Sequence, residues 1–193
     1  MASSASSPGL VQVAHWPSSG WQADQQFAPI LEKLRITNPG ASNLGLTVSR
    51  QTDLGDSIMT AIVLAPLLAQ PVRFTELGRL RLQECERVQA LRQELTRCGA
   101  WVEEENDTLT VHPSAQTMHG AEIRTYEDHR MAMCFAILGL KVPGLKLQNP
   151  ACVKKTFPNF FQKLAATPPH GLGAIICDAR SGRRLAVEEL FAD

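Results

Sequence analysis

The chain has 193 residues, 44% of them hydrophobic, which suits one domain with a full core better than two. Nineteen Lys and Arg balance nineteen Asp and Glu, so no net charge draws the protein to nucleic acid or to an anionic membrane, and neither is expected as a partner. No stretch approaches the roughly 20 consecutive apolar residues of a membrane span.

The first 20 residues are rich in Ser and Pro and lack periodicity, which predicts a flexible lead-in. They also lack the apolar run of a secretory signal and the arginines of an organelle transit peptide. The five cysteines are spread along the chain without the close pairs that are typical of zinc or redox sites. We therefore expect a single domain over residues 21–193, located in the reducing cytoplasm.

Apolar periodicity and turn residues divide the chain into elements. The predicted helices are Trp21–Leu34, Asp56–Ala69, Gln83–Cys98, Asp128–Leu140 and Thr156–Ala166. The predicted strands are Val72–Leu77, Ala121–Thr125 and Leu145–Gln148. Two hairpins are predicted, Trp101–Glu105 with Thr108–His112 around Asn106-Asp107, and Ala174–Cys177 with Arg184–Val187 around Ser181-Gly182. The segment Thr37–Leu46 is predicted to be a loop.

An internal repeat relates the two halves of this pattern at an offset of 72 residues. The matched pairs are Asp56 with Asp128, Met59 with Met131, Leu68 with Leu140, Pro71 with Pro143, and Gly99 with Gly171. Each unit, about residues 53–120 and 121–193, runs helix, strand, helix, glycine stop, hairpin, and the glycine fits a helix end that needs positive φ. Such units cannot bury their apolar stripes alone. The predicted fold class is therefore α/β (α+β), with helices packed inside outer sheets.

The start of the second unit carries the first candidate anion site. Asp128 opens a predicted helix whose buried face is formed by later residues, which leaves His129 and Arg130 in the first turn. Unpaired N–H groups and a partial positive charge at this end favour phosphate or carboxylate. The alternative is a capped helix with surface charge.

Other predicted helix starts carry ionisable residues too. Lys154 and Lys155 directly precede a predicted helix with Pro158 near its first position. In the first unit Glu84 and Arg87 are three apart, which alone indicates an ordinary helical ion pair. Asp56 is most simply an N-cap or first-turn acid.

The repeat predicts that equivalent helix starts point the same way, so that these cations form one anion-binding face. Asp56 and Glu84 would then be carboxylates among cations, placed for proton transfer and not only for charge balance.

Two strings carry a resemblance to a known family. Thr125-Tyr126-Glu127-Asp128-His129-Arg130-Met131-Ala132-Met133 and Lys155-Thr156-Phe157-Pro158 resemble diagnostic motifs of the 5-enolpyruvylshikimate-3-phosphate (EPSP) synthases, and Arg81, Glu84 and Arg87 are similar to a third motif. The resemblance covers roughly Trp21–Ala166. It implies a domain built from βαβαββ units whose helix N-termini face a cleft, and transfer of the enolpyruvyl group of phosphoenolpyruvate to the 5-hydroxyl of shikimate-3-phosphate, with release of phosphate.

The family's site roles are implied residue by residue. Asp56 matches the general base near the shikimate hydroxyl, and Glu84 matches the acid that helps proton transfer at the enolpyruvyl methylene. The residues that match the phosphoenolpyruvate and glyphosate site are Arg87, His129, Arg130 and Lys155. Gln83 stands where the family usually has a Lys that contacts shikimate-3-phosphate. The implied chemistry requires no metal and no cofactor.

Two departures from the family keep alternatives open. A neutral amide at Gln83 cannot replace the charge of a lysine, and the upper domain that completes the cleft is absent from these 193 residues. The chain is therefore a lower domain that needs a separate upper domain, or a non-catalytic anion-binding remnant or pseudoenzyme. A transferase acting on UDP-N-acetylglucosamine shares the fold but lacks the Tyr126–Met133 string, and a scaffold without ligand would make the motifs accidental.

Overall fold

The computed structural model describes residues 23–36 and 46–193. The predicted lead-in, residues 1–20, and residues 37–45 of the predicted loop lie outside the described residues. Over these two described ranges, every helix is too short or too polar to cross a membrane.

The described residues form five α-helices and six strands. The helices are α1 (Phe27–Ile36), α2 (Ile58–Leu64), α3 (Arg87–Arg97), α4 (His129–Gly139) and α5 (Phe160–Ala165). The strands are β1 (Leu46–Ser49), β2 (Val72–Thr75), β3 (Val102–Glu105), β4 (Thr108–Val111), β5 (Glu122–Ile123) and β6 (Lys146–Leu147). Short 3₁₀ segments cover Ala23–Gln26, Ala65–Leu67, Gly78–Leu82, Pro150–Lys155 and Val187–Leu190.

The strands form two sheets that are built alike at their centres. In the first, β1 pairs in parallel with β2, and the hairpin β3–β4 adds antiparallel strands to give the order β1-β2-β4-β3. In the second, β5 pairs in parallel with β6. Each parallel pair is joined by a helix, α2 or α4, as the geometry of a parallel connection requires. This is the mixed α/β architecture that the sequence predicted.

The inner layer is formed by helices. Helices α2, α3 and α4 contribute fully buried side chains to one core with the first sheet, while α5 and the C-terminal segment pack against the other face of α4. Met59 and Met131, which the repeat matched, are both buried completely. The polar start of α4 and the segments before α2 and α3 are thereby held at one end of a rigid helical layer.

Several predicted boundaries were wrong at helix starts. The chain forms α3 only from Arg87, because Gly78–Leu82 makes a 3₁₀ segment and Glu86 then caps the helix by accepting a hydrogen bond from the Gln89 amide. Similarly, α5 begins at Phe160 and not at Thr156, since Pro150–Lys155 forms a 3₁₀ segment and Pro158 has no N–H to donate. The residues between, including Gln83 and Glu84, lie in connecting turns.

Two further predictions differ from the structure. Leu46 is not part of a loop but begins β1, a strand that depends on pairing with β2 and has little alternation of its own. The glycine stop holds for Gly99, at φ +86°, whereas in the second unit the positive φ falls on Gly173 and not on Gly171. The second hairpin is reduced to a single antiparallel bridge between Cys177 and Arg184.

Candidate active site

The start of α4 is shaped by an unusual backbone. Tyr126 and Glu127 both have φ of +56°, a left-handed conformation that non-glycine residues rarely adopt. Asp128 then caps the helix, and its Oδ1 accepts a hydrogen bond of 2.8 Å from the Arg130 amide. The prediction that His129 and Arg130 lie in the first turn is confirmed.

His129 is 7% exposed, and its Nδ1 is buried without a hydrogen-bond partner among the described residues. Burial lowers the pKa of this imidazole, because the charged form loses hydration, and the neighbouring guanidinium of Arg130 lowers it further; the nearby Asp128 carboxylate opposes both. The side chain is therefore a neutral donor or acceptor at neutral pH, and not a fixed cation.

Arg87 joins the start of α3 to the start of α4. Its Nε donates to Asp128 Oδ2 at 2.7 Å and its Nη2 to Oδ1 at 3.3 Å, with the two side chains 2% and 0% exposed. Burial by itself would raise the pKa of Asp128, but the two bonds from Arg87 outweigh it and leave that pKa below its usual value. The predicted ion pair of Glu84 with Arg87 is wrong, because Arg87 pairs across the fold with Asp128 instead.

Asp56 lies two residues before α2 and is not its cap, contrary to the simplest prediction; the cap position is Ser57. Its Oδ1 accepts from Arg50 Nη2 at 2.7 Å, and its Oδ2 is 3.5 Å from Arg130 Nη2 and 3.9 Å from Arg87 Nη1. Partial burial would raise the pKa of Asp56, but the bond from Arg50 and the charge of Arg130 outweigh that effect and lower it. Asp56 is therefore ionised at neutral pH.

Gln83 forms hydrogen bonds to both Asp56 and Arg87. Its Nε2 donates to Asp56 Oδ2 at 3.3 Å, and its Oε1 accepts a hydrogen bond from Arg87 Nη1. A lysine at this position has no acceptor for Arg87. The amide therefore makes a different local network from the one that a lysine would make.

The turn that carries Gln83 and Glu84 is held by Arg81. The guanidinium donates to Glu86 at 2.5 Å, to Glu104 at 2.8 Å and to Asp107 at 3.1 Å, and so ties the segment before α3 to the hairpin β3–β4. A partly buried arginine that uses its fork on three carboxylates fixes a backbone more firmly than a single surface pair does.

Glu84 reaches the second unit through Lys155. The Lys155 Nζ lies 2.6 Å from Glu84 Oε1, and this hydrogen bond and the lysine charge lower the pKa of Glu84. Both side chains are exposed, so the pair can open to a ligand. Lys154 does not join this group, since its Nζ donates to the backbone oxygen of Asp193 at 2.8 Å.

The predicted site residues converge on one open cavity of about 350 Å³. It is lined by Asp56, Gln83, Glu84, Arg87, His129 and Arg130. Lys155 adjoins the cavity through its pair with Glu84. Cations and a helix start beside two carboxylates can hold a small anion and exchange protons with it. Cys85, although close to Asp128, has its pKa raised to about 12 by burial and by that carboxylate, so its thiol stays protonated.

Sequence reasoning missed two residues of this region. Arg50, the partner of Asp56, follows β1, a strand that the sequence did not predict. Glu94, on α3, is 0% exposed and accepts hydrogen bonds from Tyr126 Oη at 2.8 Å and from the Arg124 amide at 3.3 Å. An acid among the buried positions of an amphipathic helix was the available signal for Glu94.

An α/β domain with helices inside and a cavity whose cations can bind an anion at helix starts has the architecture of an enolpyruvyltransferase domain. The family model for EPSP synthase (3-phosphoshikimate 1-carboxyvinyltransferase) matches residues 1–164. The chain therefore belongs to the EPSP synthase family.

Individual relatives are similar over a part of their own length. A 3-phosphoshikimate 1-carboxyvinyltransferase of Nostoc punctiforme is 35% identical over 84% of this chain and 40% of its own length. One of Pseudomonas syringae pv. tomato is 43% identical over 60% of this chain and 28% of its own. A solved EPSP synthase of Acinetobacter baumannii matches with a TM-score of 0.53 at 25% identity, covering 57% of this chain and 26% of that one. The chain thus spans about 40% of the length of the first of these relatives.

Proposed function

We propose that this chain forms the lower wall of an EPSP synthase cleft and takes part in enolpyruvyl transfer from phosphoenolpyruvate to the 5-hydroxyl of shikimate-3-phosphate. The observation that carries the proposal is the convergence of Asp56, Glu84, Arg87, His129 and Arg130 on one cavity, next to Lys155. These residues come from segments up to 99 positions apart in sequence. Their convergence supports one shared site and not separate surface charges.

The cations would hold phosphoenolpyruvate. Arg130 and Lys155 are partly exposed, so a carboxylate or phosphate can replace their present partners without opening the core. Arg87 is paired with the buried Asp128 and serves mainly to fix the positive wall, by which we mean the side of the cavity formed by Arg87, His129 and Arg130. His129, neutral at neutral pH, would donate one hydrogen bond to the phosphate without adding charge. Fixed donors of this kind stabilise a leaving phosphate best when water is excluded.

The two carboxylates would move the protons. Protonated Glu84 would donate its proton to the methylene carbon of phosphoenolpyruvate, which makes the neighbouring carbon electrophilic. The shikimate hydroxyl oxygen then bonds to that carbon, while Asp56 takes the hydroxyl proton and later passes it to the leaving phosphate. The bond to the phosphate oxygen then breaks, and the methyl group returns a proton to Glu84. As Lys155 turns to the phosphate, the pKa of Glu84 rises, since the cation that lowers it is withdrawn. Substrate binding would thereby prepare Glu84 to carry a proton.

The remaining parts of the reaction require a partner. We infer that residues 21–193 form one domain of two units, about 53–120 and 121–193, and that a separate upper domain supplies most contacts to shikimate-3-phosphate. One wall alone leaves the ligand's charges solvated on one side, which weakens every ion pair. We therefore expect weak binding of phosphoenolpyruvate and glyphosate, and little turnover, by the chain alone in the cytoplasm.

A titration with complementation tests the proposal. Phosphoenolpyruvate is added to the isotope-labelled chain, and the amide shifts of His129, Arg130 and Lys155 are followed by NMR. Turnover is then measured after adding the upper domain of a relative such as the Nostoc punctiforme enzyme. We expect local shifts in the first experiment and phosphate release only in the second. Absence of both shifts and turnover would remove the proposal.

A matched pair of lysine variants makes this test specific. Lys155→Gln should weaken phosphoenolpyruvate binding, whereas Lys163→Gln, which changes an exposed lysine on α5 away from the cavity, should leave it unchanged. An equal loss for both variants would indicate nonspecific attraction of an anion to a basic surface.

A non-catalytic anion-binding domain is the second candidate. The neutral Gln83 and the match to only about 40% of a relative's length favour it. Phosphoenolpyruvate shifts at the same residues, without turnover with any upper domain, would support this function instead.

A further inference from the structure

Arg50 occupies a position that in parallel sheets commonly carries functional groups. It follows β1 directly, at the carboxyl end of the strand, where its amide continues the ladder by donating to the Thr75 oxygen at 3.0 Å. The turn behind it is closed by Asp53, whose Oδ2 accepts from the Ser49 amide at 2.8 Å. The backbone of Arg50 is therefore fixed on both sides, and its side chain points toward the start of α2.

Among the cations around Asp56, Arg50 makes the shortest contact. Its Nη2 is 2.7 Å from Asp56 Oδ1, compared with 3.5 Å for Arg130 and 3.9 Å for Arg87 to the other oxygen. The Arg50 side chain is 15% exposed, so solvent weakens this pair less than it weakens a surface pair. Arg87 and Arg130 belong to the cavity wall, whereas Arg50 does not line the cavity.

Position 83 brings no charge to Asp56. The Gln83 amide donates to Asp56 Oδ2 at 3.3 Å and is itself engaged by Arg87 through its oxygen. An amide donor stabilises a carboxylate less than a cation does. Of the three arginines beside Asp56, Arg50 therefore brings its positive charge closest.

We propose that Arg50 is a positioning residue that supplies, from outside the cavity, the cation beside Asp56 that position 83 lacks. Its relevance to catalysis rests on the proposed function, in which Asp56 accepts a proton. Arg50 does not contact substrate in this scheme. It orients the Asp56 carboxylate and keeps it ionised, so that Arg130 remains available to bind an anion.

Arg50 contacts Asp56 through a single hydrogen bond and not through the bidentate geometry that a guanidinium can form. Arg50 bonds to Asp56 through Nη2, and its Nε is buried without a partner among the described residues. Lys and Arg differ most where an arginine makes paired bonds. A lysine at position 50 should therefore retain most of the effect, which a purely shape-dependent role would not allow.

The other groups around Asp56 define what the test must control. Gln83 approaches from the turn before α3, Arg87 from α3 and Arg130 from α4. From the 3₁₀ segment at the start of the described chain, the carboxylate of Asp24 accepts from the amide of Ser57, the residue next to Asp56. These neighbours remain unchanged in the single Arg50 variants, so a change in titration there reports the Arg50 charge.

The experiment measures the titration of the Asp56 carboxyl carbon by NMR in the full chain. Arg50→Gln should shift the Asp56 midpoint upward, Arg50→Lys should leave it close to wild type, and the double change Arg50→Gln with Gln83→Lys should return it downward. Arg73→Gln, which removes an arginine paired with Glu105 on the outer hairpin, is the control and should have no effect.

Three results would overturn the proposal. The first is an unchanged Asp56 midpoint in a folded Arg50→Gln chain, and the second is an equal shift in Arg73→Gln. The third is failure of Gln83→Lys to lower the Asp56 midpoint again in the double variant. It would show that a positive charge at position 83 cannot replace that of Arg50, which contradicts the proposal. A wild-type chain that shows neither phosphoenolpyruvate shifts nor turnover with an upper domain would instead remove the proposed function. The Asp56 titration would remain readable, so the two failures are distinguishable.

Discussion

Arg87 and Asp128 form a buried, two-bond ion pair that connects the starts of two helices 41 positions apart in sequence. Asp128 uses the same carboxylate to cap α4 through the Arg130 amide, so one acid sets both the direction of Arg87 and the exposure of Arg130. Buried pairs of this kind are costly to break from one side, because the remaining charge stays in the interior without a partner. The architecture of the positive wall therefore depends on Asp128.

Replacing Asp128 by Ala should lower the free energy of unfolding by about 3–5 kcal/mol, the usual cost of leaving one partner of a buried pair alone. Asp128→Asn should fall between wild type and Ala, since the amide keeps one acceptor for Arg87 and for the helix cap. Urea unfolding followed by circular dichroism measures both. As a control, Glu105→Ala removes an exposed acid 3.7 Å from Arg73 and should change stability by less than about 1 kcal/mol. Equal losses at positions 128 and 105 would contradict the role given to Asp128.

The lowered pKa values of Asp56 and Asp128 predict how stability depends on pH. Each group has a folded-state pKa below its ordinary value of 3.8, so its contribution is fully present above pH 3.8 and is lost as pH falls through the folded-state pKa. Urea midpoints should therefore fall steeply below about pH 4, while the lowered pKa of His129 adds a separate decline that begins as pH falls below 6.5. In Asp128→Asn the fall should be shallower, because the proton linked to Asp128 is gone. A steeper fall in that variant would contradict the assignment.

The sequence was sufficient to predict the five described α-helices and the start of α4, although it placed the starts of α3 and α5 too early. The helical spacing of Met131, Phe135 and Leu138 identified the buried face of α4, and all three side chains are buried in the structure. Because that face is formed by later residues, the residues just before it must lie in the first turn, which correctly placed His129 and Arg130. The apolar spacing within α4 was sufficient, because its buried face and the position of its first turn are both properties of this one helix.

What the sequence did not predict depends on contacts between distant segments. β1 is four residues long and is defined by its pairing with β2, so its own pattern carries little signal, and Arg50 was missed with it. The partner of Arg87 was also predicted wrongly. A local pair with Glu84 was the expectation, but the chain leaves the helix at that point and the buried Asp128 is the stronger partner.

Glu94 is the centre of a second buried network. It accepts from the Tyr126 hydroxyl at 2.8 Å and pairs with Arg97 Nε at 3.2 Å. Tyr126 and Glu127 have left-handed backbones directly before Asp128, so the network anchors a strained turn that leads into the candidate site. Burial raises the pKa of Tyr126 to about 12, and the hydrogen bond and charge of Glu94 contribute to the rise.

Glu94→Gln should lower the Tyr126 pKa from about 12 toward the ordinary value of 10, since the negative charge that opposes the phenolate is removed. Tyr126 is the only tyrosine of the chain, so ultraviolet absorbance of the phenolate reports it without assignment. Gln93→Ala is the matched control, because Gln93 also accepts from the Tyr126 hydroxyl, at 3.1 Å, but carries no charge. Its effect should be smaller. Circular dichroism at each pH confirms that the fold persists, and an unchanged Tyr126 pKa in Glu94→Gln would refute the network.

The pair of Glu84 with Lys155 gives the last prediction, which concerns ligand binding. Lys155→Met should raise the pKa of Glu84, because the hydrogen bond and the charge that lower it are both lost. If Lys155 also holds the phosphate of phosphoenolpyruvate, the same change should weaken binding about tenfold, the loss expected for one hydrogen bond to a charged group.

Glu84→Gln separates the two effects. It removes the carboxylate that competes with the phosphate for Lys155, so affinity should be retained or increased, while any turnover with an upper domain is lost. Carboxyl-carbon NMR measures the first quantity and a phosphoenolpyruvate titration the second. Weaker binding in Glu84→Gln would mean that the acid, and not the lysine alone, takes part in holding the anion, and the assignment of Glu84 to proton transfer would then fail.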